Sequence, residues 1–381
     1  MNILLLIPSL HIGGTERQVV ALAVGLQKKA HTVLVATLYP GGELEPDLMD
    51  VSLLRVGKKG RWDVFGSLSR LKALIHEHDI DVVYTFLGTP NIMGAALKPF
   101  IRAKLVWGIR ASEMRLANYS WLSWVAHHLE SFLAHAPHLI LANSLAGKSH
   151  AAAGGFPEAS MQVVHNGIDT DTFRPDARSR SAMRCAWGVT EAQCLIGLPA
   201  RIDPIKGHEV FLEAARIVAG KAPDVRFVCV GGGDTSRTES LKQLSRTLGI
   251  QDVVIWAGQQ KCMPEVYNAL DMVCLSSYGE GFPNAIAEAM ACGIPCAATE
   301  AGDSAFIIGE TGATAPVEDP EALARAILAV KARSENGPEL GQLCRQRIVE
   351  NFGLDVMVDK TLIQLESIVG RRPASHAENG Q

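Results

Sequence analysis

Two glutamates in the stretch YGEGFPNAIAEAMACGIP (residues 278–295) have the type and spacing to take part in chemistry. Glu280 and Glu288 lie eight positions apart, with a turn signal and then an alanine-rich segment between them. If the span were helical throughout, a rise of 1.5 Å per residue would separate the carboxylates by about 12 Å. That is too far for two carboxylates that act on one bond. It suits an elongated ligand with hydroxyls at both ends and an anion at the helix N-terminus, such as a nucleotide-sugar.

Two cations follow the first strand predicted in the second half of the chain. Arg201 and Lys206 lie in RIDPIKG (201–207). Arginine offers bidentate contacts and lysine a point charge, and ligands of parallel α/β sheets bind at the carboxyl ends of strands. Solvated surface charges are the plain alternative, but this location favours contact with a diphosphate.

Two glycine-rich turns also follow predicted strands. Gly13 and Gly14 lie in HIGGTE (11–16), and Gly232 lies in GGGD (231–234). Glycine lets backbone approach a ligand closely. A tight strand-to-helix turn explains the first pattern equally well, and a wide turn explains the second, so both interpretations stay open. Neither turn is G-x-G-x-x-G, and no dinucleotide site is predicted.

The acidic and thiol side chains do not predict a metal site. Asp169 and Asp171 form a D-x-D pattern, but no third ligand lies nearby in sequence, and the loop resembles an Asx-turn cluster. The eight cysteines include no C-x-x-C pair. Free thiols in a reducing cytoplasm therefore explain them better than disulfides or zinc.

Strand-like runs alternate with helical patterns along almost the whole chain, which predicts an α/β fold of parallel sheets covered by helices. The alternation breaks at HNGIDTDTFRPDARS (165–179) and restarts near residue 194. We therefore predict two successive Rossmann-like domains facing across a ligand cleft. Their ranges are 1–168 and 169–352, followed by an amphipathic helix within 353–370 and a polar tail at 371–381.

Composition narrows the class of protein. The chain has 381 residues, of which 48% are apolar and 20% charged, and a net charge of −4 gives no general electrostatic reason to bind nucleic acid. The opening apolar run breaks at Pro8 and no run reaches 18 apolar residues, so we expect a cytoplasmic protein without a membrane span.

A helix predicted over 119–133 carries an apolar stripe that favours core packing. Tyr119, Trp121 and Trp124 at one end keep a membrane-interface role as the alternative.

The order of GGTE, HNGID, RIDPIKGH, GGGD and EGFPNAIAEAMACGIP resembles the retaining glycosyltransferases of family 4, also called glycosyltransferase group 1. The resemblance covers residues 2–370, and its most specific element is the E-x7-E pattern of Glu280 and Glu288. It implies the GT-B fold, with the last helix crossing back to the first domain. It also implies a nucleotide diphosphate sugar donor, linked to UDP or GDP, and no metal or other cofactor.

The resemblance also implies roles for individual residues. Arg201 and Lys206 would bind the diphosphate and stabilise it as the leaving group, while Glu280 would contact the transferred sugar. Glu288 would hydrogen-bond the ribose hydroxyls. The other donor-binding positions would be Gly13, Gly14, Gly232, Gly281, Phe282, Pro283 and Asn284.

The chain departs from the family pattern at one place. Many members carry a histidine near the transferred sugar, after the fourth or fifth strand of the first domain. The matching stretch here contains Arg110, with Glu113 close by in sequence. Either residue is a candidate replacement, and Arg110 is also suited to anchor the donor or an acidic acceptor.

These observations predict transfer of a hexose-type unit to an acceptor hydroxyl with retained configuration, in the synthesis of a cell-surface polysaccharide or glycolipid. The acceptor would be a glycan or a lipid-linked molecule, compatible with peripheral contact at the inner membrane face. Three alternatives stay open: a nucleotide-sugar epimerase of the same fold, a glycan phosphorylase, and a non-catalytic sugar-nucleotide sensor or scaffold. A phosphorylase would normally need a pyridoxal-binding lysine and a much longer chain.

Overall fold

The computed structural model describes residues 1–60, 62–110, 128–337 and 339–370. The predicted helix at 119–133, Glu113 and the polar tail at 371–381 therefore lie wholly or mostly outside the described residues. Within the described part, a short helical stretch covers 128–133.

The first half of the chain forms a seven-stranded sheet. Its strands pair in parallel in the order β3-β2-β1-β4-β5-β6-β7. The chain runs outward from β1 to β3 and then returns across β1 to β4, so the strand order reverses between β1 and β4. The bounds are β1 Asn2–Ile7, β2 Thr32–Thr37, β3 Ser52–Arg55, β4 Val82–Phe86, β5 Lys104–Ile109, β6 Leu139–Ala142 and β7 Met161–Val163.

The second half forms a six-stranded parallel sheet with the same kind of reversal, here between β8 and β11. The order is β10-β9-β8-β11-β12-β13. Ligands of open α/β sheets bind beside the carboxyl ends of the strands at such a reversal. The bounds are β8 Cys194–Pro199, β9 Val225–Val230, β10 Val254–Gly258, β11 Met272–Leu275, β12 Cys296–Thr299 and β13 Ala313–Ala315.

Helices cover the sheets and supply the crossovers that parallel strands require. Those of the first half are α1 Gly14–Lys28, α2 Val64–Glu77, α3 Gly88–Leu97 and α4 Leu145–Ala153. Those of the second half are α5 Ala177–Ala186, α6 His208–Ala219, α7 Thr235–Thr247, α8 Met263–Ala269, α9 Asn284–Ala291, α10 Ser304–Ile308, α11 Pro320–Asn336, α12 Leu340–Phe352 and α13 Leu354–Val369. No described helix is both long enough and apolar enough to cross a bilayer.

The last helix, α13, packs on the first domain. Its buried residues Val358, Leu362 and Leu365 join the apolar core formed by β1 and α1. A Cβ on Gly25 of α1 would lie 2.4 Å from a methyl group of Val358, so glycine is what permits this close packing. The helix therefore returns the chain from the second domain to the first.

The α/β fold class predicted from the alternation is confirmed. The predicted boundary at 168/169 lies in the segment between β7 and β8, and the exact domain ranges stay a prediction. Three elements of the structure show no clear strand or helix pattern in the sequence: β13, α5 and α10. β13 and α10 have three and five residues, too few to show a period. Helix α5, ARSRSAMRCA, is half polar, and its pattern is hard to recognise directly after the proline-containing break.

Candidate active site

A cavity of about 400 Å³ lies where the carboxyl ends of strands from both sheets meet. The first domain lines it with residues that follow β1, β5, β6 and β7. The second domain lines it with the end of β8, the turn after it and the segment that leads into α9. Nine of the predicted site residues lie in its wall: Gly14, Arg110, Arg201, Lys206, Glu280 and 281–284.

An ion pair between Lys206 and Glu280 lies in this wall. Lys206 Nζ is 2.6 Å from Glu280 Oε1, and both side chains are largely withdrawn from solvent. Ser277 Oγ donates to the same carboxylate oxygen at 2.7 Å. The sequence places these two residues 74 positions apart, and the adjacent strands β8 and β11 bring them together.

The turn that carries Lys206 is held rigidly. The side chain of Asp203 accepts a hydrogen bond from Ile205 N at 3.1 Å, and Ser276 Oγ donates to Lys206 O at 3.0 Å. Gly207 has φ +60°, and a Cβ there would lie 2.1 Å from Ser276 O. This glycine therefore lets the turn dock on the end of β11, which fixes the direction of the lysine.

The loop that carries Glu280 is held just as closely. Gly302, with φ +58°, packs against it, and a Cβ at that position would lie 2.3 Å from Glu280 O. Helix α9 begins only at Asn284, with Pro283 as its N-cap, so Glu280 lies in a loop and not on the helix. The carboxylate spacing predicted for a continuous helix therefore does not apply to this pair.

Two helix N-termini face the cavity, and neither is capped by a side chain. Helix α1 starts at Gly14 and α9 at Asn284, and the N-cap residues of both make no side-chain hydrogen bond. The N-termini of α4, α5, α7 and α11 each receive one, whereas those of α2, α3, α6, α8, α10, α12 and α13 do not, so the place of α1 and α9 at the cavity is what distinguishes them. Uncapped N–H groups and the positive end of the helix dipole favour an anion at this place.

Arg201 and Arg110 reach the cavity from opposite domains. Arg201 is 77% exposed, and the described residues give it one ion-pair partner, Asp203 at 3.4 Å. Arg110, at the end of β5, donates to Asn166 Oδ1 at 2.9 Å and lies 5.0 Å from the ring centroid of Phe86. Arg110 therefore lies in the cavity wall, and its role as the replacement for the family histidine stays a prediction.

Glu288 lies on α9 but outside the cavity wall. Its carboxylate accepts a 2.7 Å hydrogen bond from the buried Tyr267 hydroxyl. Burial raises the pKa of Glu288 to about 7, while the Tyr267 hydrogen bond and the charge of Arg17 act in the opposite direction. Its contact with ribose stays a prediction.

The two remaining predicted glycines also lie outside the wall. Gly13 precedes α1, and a Cβ there would meet the Glu16 carboxylate. Gly232 lies between two glycines that pack on the backbone after β8. A Cβ on Gly231 would lie 2.1 Å from Ala200 O, and one on Gly233 would lie 2.5 Å from Ile202 O. The GGGD turn thus has a packing reason for two of its glycines, and the ligand contact of Gly232 stays a prediction.

Sequence reasoning missed the polar residues that the first domain contributes. Asn143 and Asn166 follow β6 and β7, and both line the cavity. Asn166 Nδ2 donates to Asn284 Oδ1 at 2.9 Å, which joins the two domains across the cleft. The HNGID motif contains Asn166, and its position after a strand was the signal that could have identified it.

A second link between the domains also escaped the sequence. The buried carboxylate of Asp303 accepts hydrogen bonds from Leu145 N and Ala146 N at the start of α4, at 2.8 and 2.9 Å. His165 Nε2 lies 3.1 Å from the same carboxylate. Asp303 also donates its backbone N–H to Gly281 O at 3.0 Å, so this contact joins the cavity loop to the first domain.

Among the described residues, no group of three or more His, Cys, Asp or Glu side chains could hold a metal ion. The described geometry instead offers cations and helix N-termini to an anionic ligand. The two acidic residues 169 and 171 lie in an Asx-type turn, in which Asp169 accepts from Asp171 N at 3.1 Å.

Comparison with known families gives matches on both domains. The model described as Glycosyltransferase Family 4 matches residues 12–172, and the model described as Glycosyl transferases group 1 matches residues 193–332. The chain belongs to the family 4, group 1 glycosyltransferases. The first of these matches covers the domain built on the first sheet, and the second covers the domain built on the second sheet.

Individual curated relatives match this chain over only part of their own length. A D-inositol 3-phosphate glycosyltransferase of Mycobacterium sp. strain KMS is 36% identical over 160 residues, which is 40% of this chain and 35% of the relative. HepE of Anabaena, solved in complex with UDP-glucose, has a TM-score of 0.81 at 21% identity and covers 96% of this chain and 100% of its own. A glycosyltransferase from Rickettsia africae has a TM-score of 0.82 at 19% identity, covering 97% and 99%. These structural likenesses show that the fold is GT-B.

Proposed function

We propose that this glycosyltransferase moves a sugar from a nucleoside diphosphate sugar to an acceptor hydroxyl with retained anomeric configuration. The Lys206–Glu280 pair beside two uncapped helix N-termini carries the proposal. A ligand that suits the ion pair and both helix N-termini has a dianionic centre flanked by a hydroxyl-bearing ring. A nucleotide-sugar has this chemistry.

The chain's residues would act on the charge that develops as the glycosidic bond breaks. The departing diphosphate gains negative charge while the sugar becomes oxocarbenium-like. Lys206, Arg201 and the first N–H groups of α9 would stabilise the leaving diphosphate. Glu280 would accept hydrogen bonds from hydroxyls of the transferred sugar. No metal cofactor is part of this proposal, because these cations and helix N-termini would supply the charge stabilisation.

The comparisons suggest which substrates to test first. HepE was solved with UDP-glucose, so UDP-glucose is the first donor, with GDP-linked sugars next. The relatives are named for D-inositol 3-phosphate, and Arg110 in the first-domain wall would suit an anionic acceptor of this kind. A glycan or lipid-linked acceptor at the inner membrane face is the other class, as expected for polysaccharide or glycolipid synthesis in the cytoplasm.

Two rival functions use the same fold. An epimerase would change the donor without any acceptor, and a non-catalytic sensor would bind the donor without consuming it. The intact set of Arg201, Lys206, Glu280 and Glu288 favours transfer over sensing.

The test is a donor screen followed by product analysis. The enzyme is incubated with UDP- and GDP-sugars, with D-inositol 3-phosphate or a lipid extract as acceptor, and nucleotide release is measured. NMR of the product then gives the anomeric configuration. Transfer with retention is expected. Donor isomerisation without acceptor would establish the epimerase, and donor binding without any turnover would establish the sensor.

A further inference from the structure

We propose that a stripe of exposed aromatic and basic side chains on the first domain binds the surface of an anionic lipid bilayer. This surface, here called the aromatic–basic stripe, consists of Lys59, Trp62, Phe65, Lys72, Phe100 and Arg102. None of these residues lines the cavity, and in sequence they lie outside the 119–133 segment that was singled out as a membrane-interface candidate.

Three aromatic rings give the stripe its apolar character. Trp62 is 88% exposed, Phe65 is 87% exposed and Phe100 is 61% exposed. Large aromatic side chains normally bury most of their surface in a core or an interface. A cluster of exposed rings therefore marks a surface that another phase or molecule covers.

Helix spacing and one contact connect the start of α2 to Phe100. Trp62 lies just before α2, and Phe65 lies in its first turn. Lys72 is two turns beyond Phe65 on the same side of the helix, about 10 Å away. The Lys72 ammonium lies 5.4 Å from the centroid of the Phe100 ring. A neighbouring side of α2 is anchored in the core by the buried Leu71 and Ile75.

The charge of this region is opposite to that of the whole chain. Residues 55–104 contain nine Lys and Arg against four Asp and Glu, a net charge of +5, whereas the whole chain carries −4. Arg55 and Arg70 are paired with acidic residues. Among the described residues, no ion-pair partner is found for the exposed side chains of Lys59 and Arg102. These cations remain available to an outside anion.

The combination of rings and cations fits a bilayer surface. Aromatic rings partition into the headgroup region, and basic side chains gain about 1 kcal/mol each near anionic lipids. Helix α2 follows β3, so its N-terminus lies at the same edge of the sheet as the cavity. If the proposed function holds, binding through the stripe would bring the cleft close to a lipid-linked acceptor.

The experiment is vesicle sedimentation with the full chain. Vesicles of phosphatidylcholine mixed with phosphatidylglycerol should carry the protein into the pellet, and added salt should weaken binding. Vesicles of phosphatidylcholine alone should bind far less. The aromatic variant combines Trp62→Ser, Phe65→Ser and Phe100→Ser. Its partitioning should fall at least about ten-fold, since burial of about 60 Å² of a single ring already corresponds to that factor.

A matched variant changes three exposed apolar residues on the C-terminal helices, and its binding should equal that of the parent. It combines Leu343→Ser, Val349→Ser and Ile363→Ser. Thermal unfolding and UDP titration of both variants separate lost membrane binding from lost folding. UDP binding also tests the proposed function independently, because neither variant touches the cavity.

Charge reversal in the stripe gives the second arm of the test. Lys59→Glu, Lys72→Glu and Arg102→Glu together should lower partitioning by about 100-fold, at roughly five-fold per cation. A control variant with the same net charge replaces Arg178, Lys221 and Lys261 of the second domain by Glu. It should bind vesicles nearly as the parent protein does. The proposal is overturned if the parent ignores anionic vesicles, if stripe and control variants behave alike, or if sedimentation velocity shows that the stripe instead joins two copies of the chain.

Discussion

Removing the ammonium group of Lys206 should slow sugar transfer strongly while leaving the protein folded. Lys206 Nζ lies 2.6 Å from Glu280 Oε1, and 21% of the Lys206 side chain is exposed. A charge-assisted contact in such a setting contributes about 1.5–3 kcal/mol. At about 1.4 kcal/mol per factor of ten, Lys206→Met should reduce kcat roughly 10- to 150-fold. The methionine keeps the length and apolar packing of the side chain.

The assay is the initial rate of nucleotide release at saturating donor, with the sugar nucleotide that the donor screen identifies. Because the leaving diphosphate gains charge only as the bond breaks, the effect should appear mainly in kcat and less in KM. Lys221→Met, a surface lysine of the second domain, is the matched control and should leave the rate unchanged. A near-normal rate in a folded Lys206→Met protein would refute the role assigned to this lysine.

Three further changes test other parts of the site. Arg201→Met should also lower kcat roughly 10- to 150-fold. Its melting temperature should not change, because the Arg201 side chain is largely exposed, and a lowered melting temperature together with the lost activity would contradict a role in catalysis alone. Since the pKa of Glu288 is about 7, its carboxylate forms between pH 6 and pH 8, and UDP-glucose should bind up to roughly ten-fold tighter at pH 8. Glu288→Gln should abolish this pH dependence in calorimetric titrations, and a parent without pH dependence would contradict the ribose contact. Gly302→Ala should lower stability by more than about 1–2 kcal/mol in denaturant unfolding and impair turnover, because φ is +58° and the new Cβ meets Glu280 O; an unaffected protein would show that the loop adapts freely.

The second-domain half of the site could be predicted because its residues lie in compact local patterns. RIDPIKG contains both cations, and the Glu280 loop leads directly into α9. Each turn after a strand can therefore be recognised from a short stretch of sequence. The structure changed one part of the reasoning. Glu280 is held in a loop by Gly302, and the spacing along a continuous helix did not decide its position.

The first-domain half was harder to predict because its contributions are single residues at the ends of separate strands. Asn143 and Asn166 lie 23 positions apart, no single motif contains both, and only the sheet order brings them to one wall. The Asp303 contact with the start of α4 joins positions more than 150 residues apart. No local period encodes a contact of this kind, because it depends on how the two domains pack.

A crystal structure of the enzyme with UDP bound tests the central claim most directly. The account predicts the diphosphate at the N-terminus of α9, with phosphate oxygens within hydrogen-bond distance of Lys206 Nζ and of the backbone N–H groups that begin at Asn284. A nucleotide bound elsewhere, or an empty cavity at saturating UDP, would contradict the assignment of this cavity as the donor site.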